Sequence, residues 1–266
     1  MQTTGNSFTG SKIELPDGKM HYQSLGKGLP ILLLHSVASS VWSWSKVIDP
    51  LSGKYTVYAL DTMGQGDSDK PRSYYTIRDY AKSVINFMEA KGISNATLIG
   101  NSVGAVFAVA VTAIKRTMVD KLILVGCPCW ETKRERENAK AIVKANYDDH
   151  GIPLAYSLEK LKQSYTKVSP ELLAKVNEDR RKAGIWAWKC LDALTQFDIV
   201  PALRRVRART LLIYGEQDKL RDKENALHNY IMNSTLAIVP DAGHLPQLDN
   251  PHAFLEVVQP FLESSG

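Results

Sequence analysis

Three side chains in this sequence have the types and the order for one piece of chemistry: attack of an activated hydroxyl on a carbonyl carbon. Ser102 lies in Gly100-Asn101-Ser102-Val103-Gly104, Asp218 in Tyr214-Gly215-Glu216-Gln217-Asp218, and His244 in Pro240-Asp241-Ala242-Gly243-His244-Leu245-Pro246. A serine hydroxyl is a weak nucleophile and needs a base beside it. An imidazole supplies the base, and a carboxylate holds that imidazole in the right tautomer and stabilises its charged form. The Gly-x-Ser-x-Gly pattern carries this meaning only between a strand and a helix. There a sharp, strained turn lifts the hydroxyl clear of the backbone and sets it at the positive end of the helix. Taken alone, the pattern also fits a glycine-rich turn with an incidental serine.

The flanking elements fit the demanding context. Thr97–Gly100 reads as a short strand and Ser102–Thr117 as a mostly apolar helix. Upstream, Ser11–Leu15 and Met20–Leu25 read as strands around a Pro-Asp-Gly turn, and Ile31–Leu34 and Tyr55–Leu60 as further strands. The aliphatic run Ile31–Leu34 suits a strand buried on both faces. Arg78–Lys91 has helical spacing and Gly92 as a stop, and Lys121–Val125 is another strand. The alternation then breaks. Helices are expected near Arg134–Tyr147, Leu158–Thr166, Pro170–Gly184 and Ile185–Ala193, with no clear strand among them. It resumes with strands Thr210–Tyr214 and Thr235–Val239 and helices Lys223–Met232 and Pro251–Leu262. Asp218 and His244 thus fall just past the carboxyl ends of two strands, where open α/β sheets place ligands. Glu216 competes with Asp218 for the acid role by proximity to the strand.

The bulk properties narrow the class. The chain has 266 residues, 44% hydrophobic and 23% charged, the balance of an ordinary globular protein. Its net charge of +5 is mild, and the run Lys133-Arg134-Glu135-Arg136-Glu137 alternates sign like a solvated helix face. No nucleic-acid-binding module accompanies it, so no nucleic-acid partner is expected. Cys127, Cys129 and Cys190 have the wrong spacing for a redox pair or zinc site and read as buried thiols. Met1–Gly10 is polar, without the apolar stretch of a signal peptide. The run Val103–Ile114 is short of the roughly 20 residues that span a bilayer. A cytoplasmic protein with no membrane partner is expected, as a monomer or homodimer.

With these motifs in order, the sequence resembles the α/β-hydrolase superfamily over nearly its whole length. The resemblance rests on His35-Ser36-Val37, on Asp61-Thr62-Met63-Gly64-Gln65-Gly66-Asp67-Ser68, on the Ser102 elbow and on Ala242-Gly243-His244. It implies an α/β fold: a mostly parallel eight-stranded sheet, helices on both faces and a helical cap after strand six. The expected core is 1–128 with 202–266, and the cap 129–201. It carries over Ser102, Asp218 and His244 as the catalytic triad, with the backbone N–H groups of Val37 and Val103 as the oxyanion hole. The cycle so implied passes through an acyl-enzyme and requires no metal or organic cofactor.

Substrate class is less constrained. The leading expectation is a serine hydrolase of carboxylic esters or lactones, with a small apolar or aromatic acyl substrate. Trp130, Trp186 and Trp188, with Tyr147, are the large aromatics of the helical stretch and are expected substrate contacts, although packing is the simpler use of each. Ser36 stands where most relatives have glycine, so its side chain narrows the oxyanion loop or adds a donor. A hydroxyl residue there is similar to some hydroxynitrile lyases. Gly-Asn-Ser at the elbow is similar to carbon–carbon hydrolases of the meta-cleavage type, against which Leu245 after the histidine counts. The Ser102-Val103 and His244–Leu248 stretches also look somewhat like strigolactone and karrikin receptors, which keep a triad but turn over slowly.

Overall fold

A computed structural model of the chain describes residues 10–264. The polar stretch read at Met1–Gly10 therefore lies, apart from Gly10, outside the described residues. Eight strands form one sheet: β1 (Ser11–Leu15), β2 (Gly18–Leu25), β3 (Leu29–Leu34), β4 (Tyr55–Leu60), β5 (Ala96–Asn101), β6 (Val119–Val125), β7 (Arg209–Gly215) and β8 (Ser234–Val239). Their spatial order is β1-β2-β4-β3-β5-β6-β7-β8. The β1–β2 and β2–β4 pairs are antiparallel and all pairs from β4 onward are parallel. The eight-stranded, mostly parallel sheet is the α/β-hydrolase fold expected from the motifs.

The central strands are buried on both faces, and alternation along them sorts their side chains between two cores. Leu32, Leu34, Leu98, Leu122, Leu124 and Leu212 point into one. Ile31, Leu33, Ile99, Ile123, Leu211 and Ile213 point into the other. The helices before the break are α1 (Ile48–Ser52), α2 (Ile77–Ala90) and α3 (Val103–Ile114). A reciprocal Thr76–Asp79 box caps α2, and its Tyr80, Val84, Phe87 and Met88 stripe is buried in the first core. Helix α3 is apolar all round and is sealed between that core and the sheet, with Val103 to Val111 almost wholly inaccessible.

Between β6 and β7 come α4 (Lys133–Lys144), α5 (Leu158–Leu161), α6 (Pro170–Ala183), α7 (Ile185–Gln196) and α8 (Val200–Leu203). After β7 come α9 (Glu224–Tyr230), α10 (Pro246–Asp249) and α11 (Pro251–Glu263). The helix expected over Leu158–Thr166 stops at Leu161, which leaves the Ser164 carbonyl free to accept a hydrogen bond from His244 N–H at 2.8 Å. Short elements such as α1, α8 and α10 carry too few residues for periodicity to reveal them. All three cysteines are buried and unbridged. No helix among the described residues is long and apolar enough to cross a membrane.

Candidate active site

The elbow follows from steric limits on two glycines. A Cβ at Gly100 would strike the carbonyl of Gly104, and one at Gly104 would strike the carbonyl of Leu34. Strand β5, helix α3 and strand β3 can approach this closely only without side chains there. Between the glycines, Ser102 takes φ +56°, a conformation rare for a residue with a Cβ. Its N–H is fixed by the Val125 carbonyl at 2.8 Å, and its carbonyl accepts from Ala105 and Val106. The Ser102 hydroxyl donates to no acceptor among the described residues, and it lines a cavity that His244 also lines.

Asp218 and His244 come together from the loops after β7 and β8. The His244 Nδ1–H faces both carboxylate oxygens, at 3.1 and 3.0 Å, which leaves Nε2 free of that pairing. The Asp218 side chain is 1% exposed, and Leu220 N–H also donates to its Oδ1. Burial raises a carboxyl's pKa, but the His244 charge and hydrogen bond outweigh it and hold Asp218 below the ordinary carboxylate value. Burial likewise works against an imidazolium, yet Asp218 holds His244 above the ordinary histidine value. Gly126, with φ +53°, lies against this pair: a Cβ there would come 2.8 Å from Asp218 Oδ2 and 2.9 Å from His244 Nδ1. Glu216 is turned elsewhere and accepts from Asp241 N–H at 3.3 Å.

Two residues that sequence reasoning did not single out hold the loops. Asn101, inside the elbow, donates from Nδ2 to the His244 carbonyl at 3.0 Å and so ties elbow and histidine loop together. Buried His35 donates from Nδ1 to the Ser36 carbonyl at 2.6 Å and accepts the Thr62 N–H at Nε2, 3.0 Å away. Those partners fix its tautomer. Because a trans peptide points its N–H opposite its carbonyl, anchoring Ser36 C=O also fixes the direction of Val37 N–H. The Val37 and Val103 N–H groups make no hydrogen bond among the described residues. Their neighbour Ala38 is held at φ +53° by the Gln65 side chain.

The cavity has a volume of about 250 Å³, at the small end for ligand pockets. Of the expected contacts, Ser36, Trp130 and Tyr147 line it. Trp186 and Trp188 do not form its wall. Trp186 packs against Gly64 and stands edge-on to Tyr75, and Trp188 lies behind Tyr147 with ring centroids 5.4 Å apart. Their size drew attention in the sequence, but packing absorbs both. Sequence reasoning missed Trp42, Tyr156, Tyr165, Asp179 and Arg180 in the wall. The last two sit in a charged run of α6 and are buried against Ser40, Tyr147 and Tyr156 from other segments.

The arrangement has many counterparts. The α/β hydrolase fold family matches residues 30–251. An uncharacterized hydrolase, YugF, of Bacillus subtilis (strain 168) is 28% identical over 91% of this chain and 93% of its own. The 2-hydroxy-6-oxo-6-(2'-aminophenyl)hexa-2,4-dienoic acid hydrolase of Metapseudomonas resinovorans is 26% identical over 91% of this chain and 86% of its own. Among solved structures, E-2-(acetamidomethylene)succinate hydrolase superposes with a TM-score of 0.81 at 21% identity, over 97% of this chain and all of that one. With the sheet order, the elbow and the family match in agreement, the chain belongs to the α/β-hydrolase family.

Proposed function

We propose that this hydrolase cleaves a carboxylic ester or lactone through an acyl-enzyme on Ser102. The observation that carries the reading is the His244–Asp218 pair, which presents an oriented imidazole to the cavity that Ser102 lines. In the proposed cycle, His244 Nε2 takes the Ser102 proton and the alkoxide attacks the carbonyl carbon. The Val37 and Val103 N–H groups receive the oxyanion. His244 returns the proton to the leaving alcohol, and a water it deprotonates then releases the acid. Asp218 keeps the proton on Nδ1 and stabilises the imidazolium. The chemistry calls for no metal or organic cofactor. The helical segment 129–201 acts as a cap over a small acyl substrate, with Ser36 and Trp130 in contact with it.

A fluorophosphonate probe with peptide mass spectrometry tests the mechanism. The adduct is expected on Ser102 and is expected to vanish in Ser102→Ala. An adduct elsewhere, or one that survives the substitution, overturns the reading. Carbon–carbon bond hydrolysis is a second reading, supported by the full-length likeness to the dienoic acid hydrolase. Loss of a ring-fission dienone's visible absorbance, with no turnover of 4-nitrophenyl esters, would favour it.

A further inference from the structure

The wall of the cavity that Ser102 lines also holds a cation that the proposed hydrolysis does not use. Arg180, on α6, is 5% exposed and lines the same cavity as Ser102 and His244. Its Nε donates to the Leu154 carbonyl at 2.9 Å and its Nη2 to the Asn146 carbonyl at 3.0 Å. The guanidinium carbon sits over the Tyr156 ring, 3.7 Å from its centroid, and 5.8 Å from the centroid of Tyr147. Among the described residues, Nη1 makes no hydrogen bond and no carboxylate comes within ion-pair reach of the group. Carbonyl dipoles and aromatic faces compensate part of the cost of burying a guanidinium, but an uncompensated buried charge is expensive to keep.

The other charged group on this wall does not supply the missing partner. Asp179 is 1% exposed, accepts the Ser40 hydroxyl at Oδ2 (2.8 Å) and has Lys175 Nζ 3.2 Å from Oδ1. It is paired with Lys175 of its own helix and its Oδ2 is turned toward Ser40, while burial still holds its pKa above the ordinary carboxylate value. The cavity is thus lined by one pinned guanidinium whose Nη1 is unused and whose Nη2 keeps a second hydrogen beyond the Asn146 bond, flanked by tyrosine rings. A planar anion satisfies such donors with paired hydrogen bonds.

We propose that Arg180 binds a carboxylate of the substrate, so that the acyl group presented to Ser102 is that of a dicarboxylic acid. This rests on the ester-hydrolase reading for the reacting end of the substrate, but not for the anion site itself. Arg180 is here a specificity-determining residue, and the length between the two carboxyl groups is set by the cavity.

The test compares 4-nitrophenyl hemiesters of succinate, glutarate and adipate with the neutral butyrate, pentanoate and hexanoate esters, spontaneous hydrolysis subtracted. At one or more matched lengths the wild-type kcat/KM is expected to favour the anionic ester by tenfold or more. Arg180→Gln is expected to shrink that preference by roughly 10- to 100-fold, the weight of a buried charge-assisted bond. Arg180→Lys, which keeps the charge but loses the fork, is expected to retain part of it. Preference for the neutral ester at every length overturns the proposal. So does an equal loss on both members of each pair in the variants, the mark of a residue that only braces the Asn146–Leu154 loop. Should Arg180→Gln fail to fold, the wild-type comparison and Arg180→Lys still decide. Thermal stabilisation by glutarate over its neutral diamide needs no turnover. If that difference is present while no ester is cleaved, the ester reading fails and the anion site stands. If esters are cleaved and the difference is absent, the anion site fails alone.

Discussion

The two sides of the cavity are built by different means. On the sheet side, position is set by backbone. Gly100, Gly104 and Gly126 allow approaches that a single added carbon would block, and the Ser102 and His244 amides are bonded to other main-chain carbonyls. On the helical side, position is set by side chains: Trp130 reaches in from the stretch before α4, Tyr147 and Tyr156 from the stretch after it, and Asp179 and Arg180 from α6. Backbone placement tolerates almost no substitution and gives one geometry. Side-chain placement can be retuned residue by residue while the reacting groups stay where they are.

This division can be broken most forcefully on the sheet side. Asp218→Asn is expected to lower kcat by about 10⁴-fold, because an amide favours the wrong imidazole tautomer. It also separates two causes of the His244 pKa. In the wild type the histidine is held above its ordinary 6.5, so kcat/KM should rise with pH through a midpoint above 6.5. Without the carboxylate, only burial acts on the imidazole, and the midpoint of the residual activity should fall. A midpoint that stays put in a pH–rate profile would mean that Asp218 does not control this histidine.

Gly126→Ala should come next in size. The added methyl presses on both Asp218 and His244 at a backbone angle unsuited to alanine. A displacement of the base of that order is expected to cost about 100-fold in kcat, with KM nearly unchanged. On the helical side, Trp130→Ala is expected to raise KM for bulky acyl groups by roughly tenfold or less and to move kcat by about twofold at most. If steady-state kinetics showed Trp130→Ala lowering kcat as far as Gly126→Ala, the separation of the two sides would be lost.

The same division explains what could be read in the sequence. Aliphatic runs such as Ile31–Leu34 mark strands because burial on both faces leaves no room for polar residues. The elbow glycines and the order Ser102, Asp218, His244 were legible because close backbone approach and loop position leave a mark in local spacing. Arg180 and Asp179 were not legible. Within Glu178-Asp179-Arg180-Arg181-Lys182 nothing local separates the residues that face the cavity from their neighbours. Arg180 is covered by Tyr147 and Tyr156, and Asp179 meets Ser40, all of which arrive from other segments. Trp186 and Trp188 show the converse, large aromatics whose size suggested contact with substrate but which packing consumes. His35 was visible only as part of a motif, since its role lies in two main-chain bonds.

The helical wall is fastened to the loops of the candidate site by several bonds: the Ser164 carbonyl takes the His244 N–H, Thr166 Oγ1 donates to the Asp241 carbonyl at 2.9 Å, and Asp179 takes the Ser40 hydroxyl. A lid that swung away as one rigid piece would have either to break these bonds or to drag the His244 and Ser36–Ser40 loops out of register. On the proposed mechanism, any opening that parts these bonds also unseats His244, the proposed base. The molecule is interlocked, in the engineer's sense: the door and the switch share the same bolts.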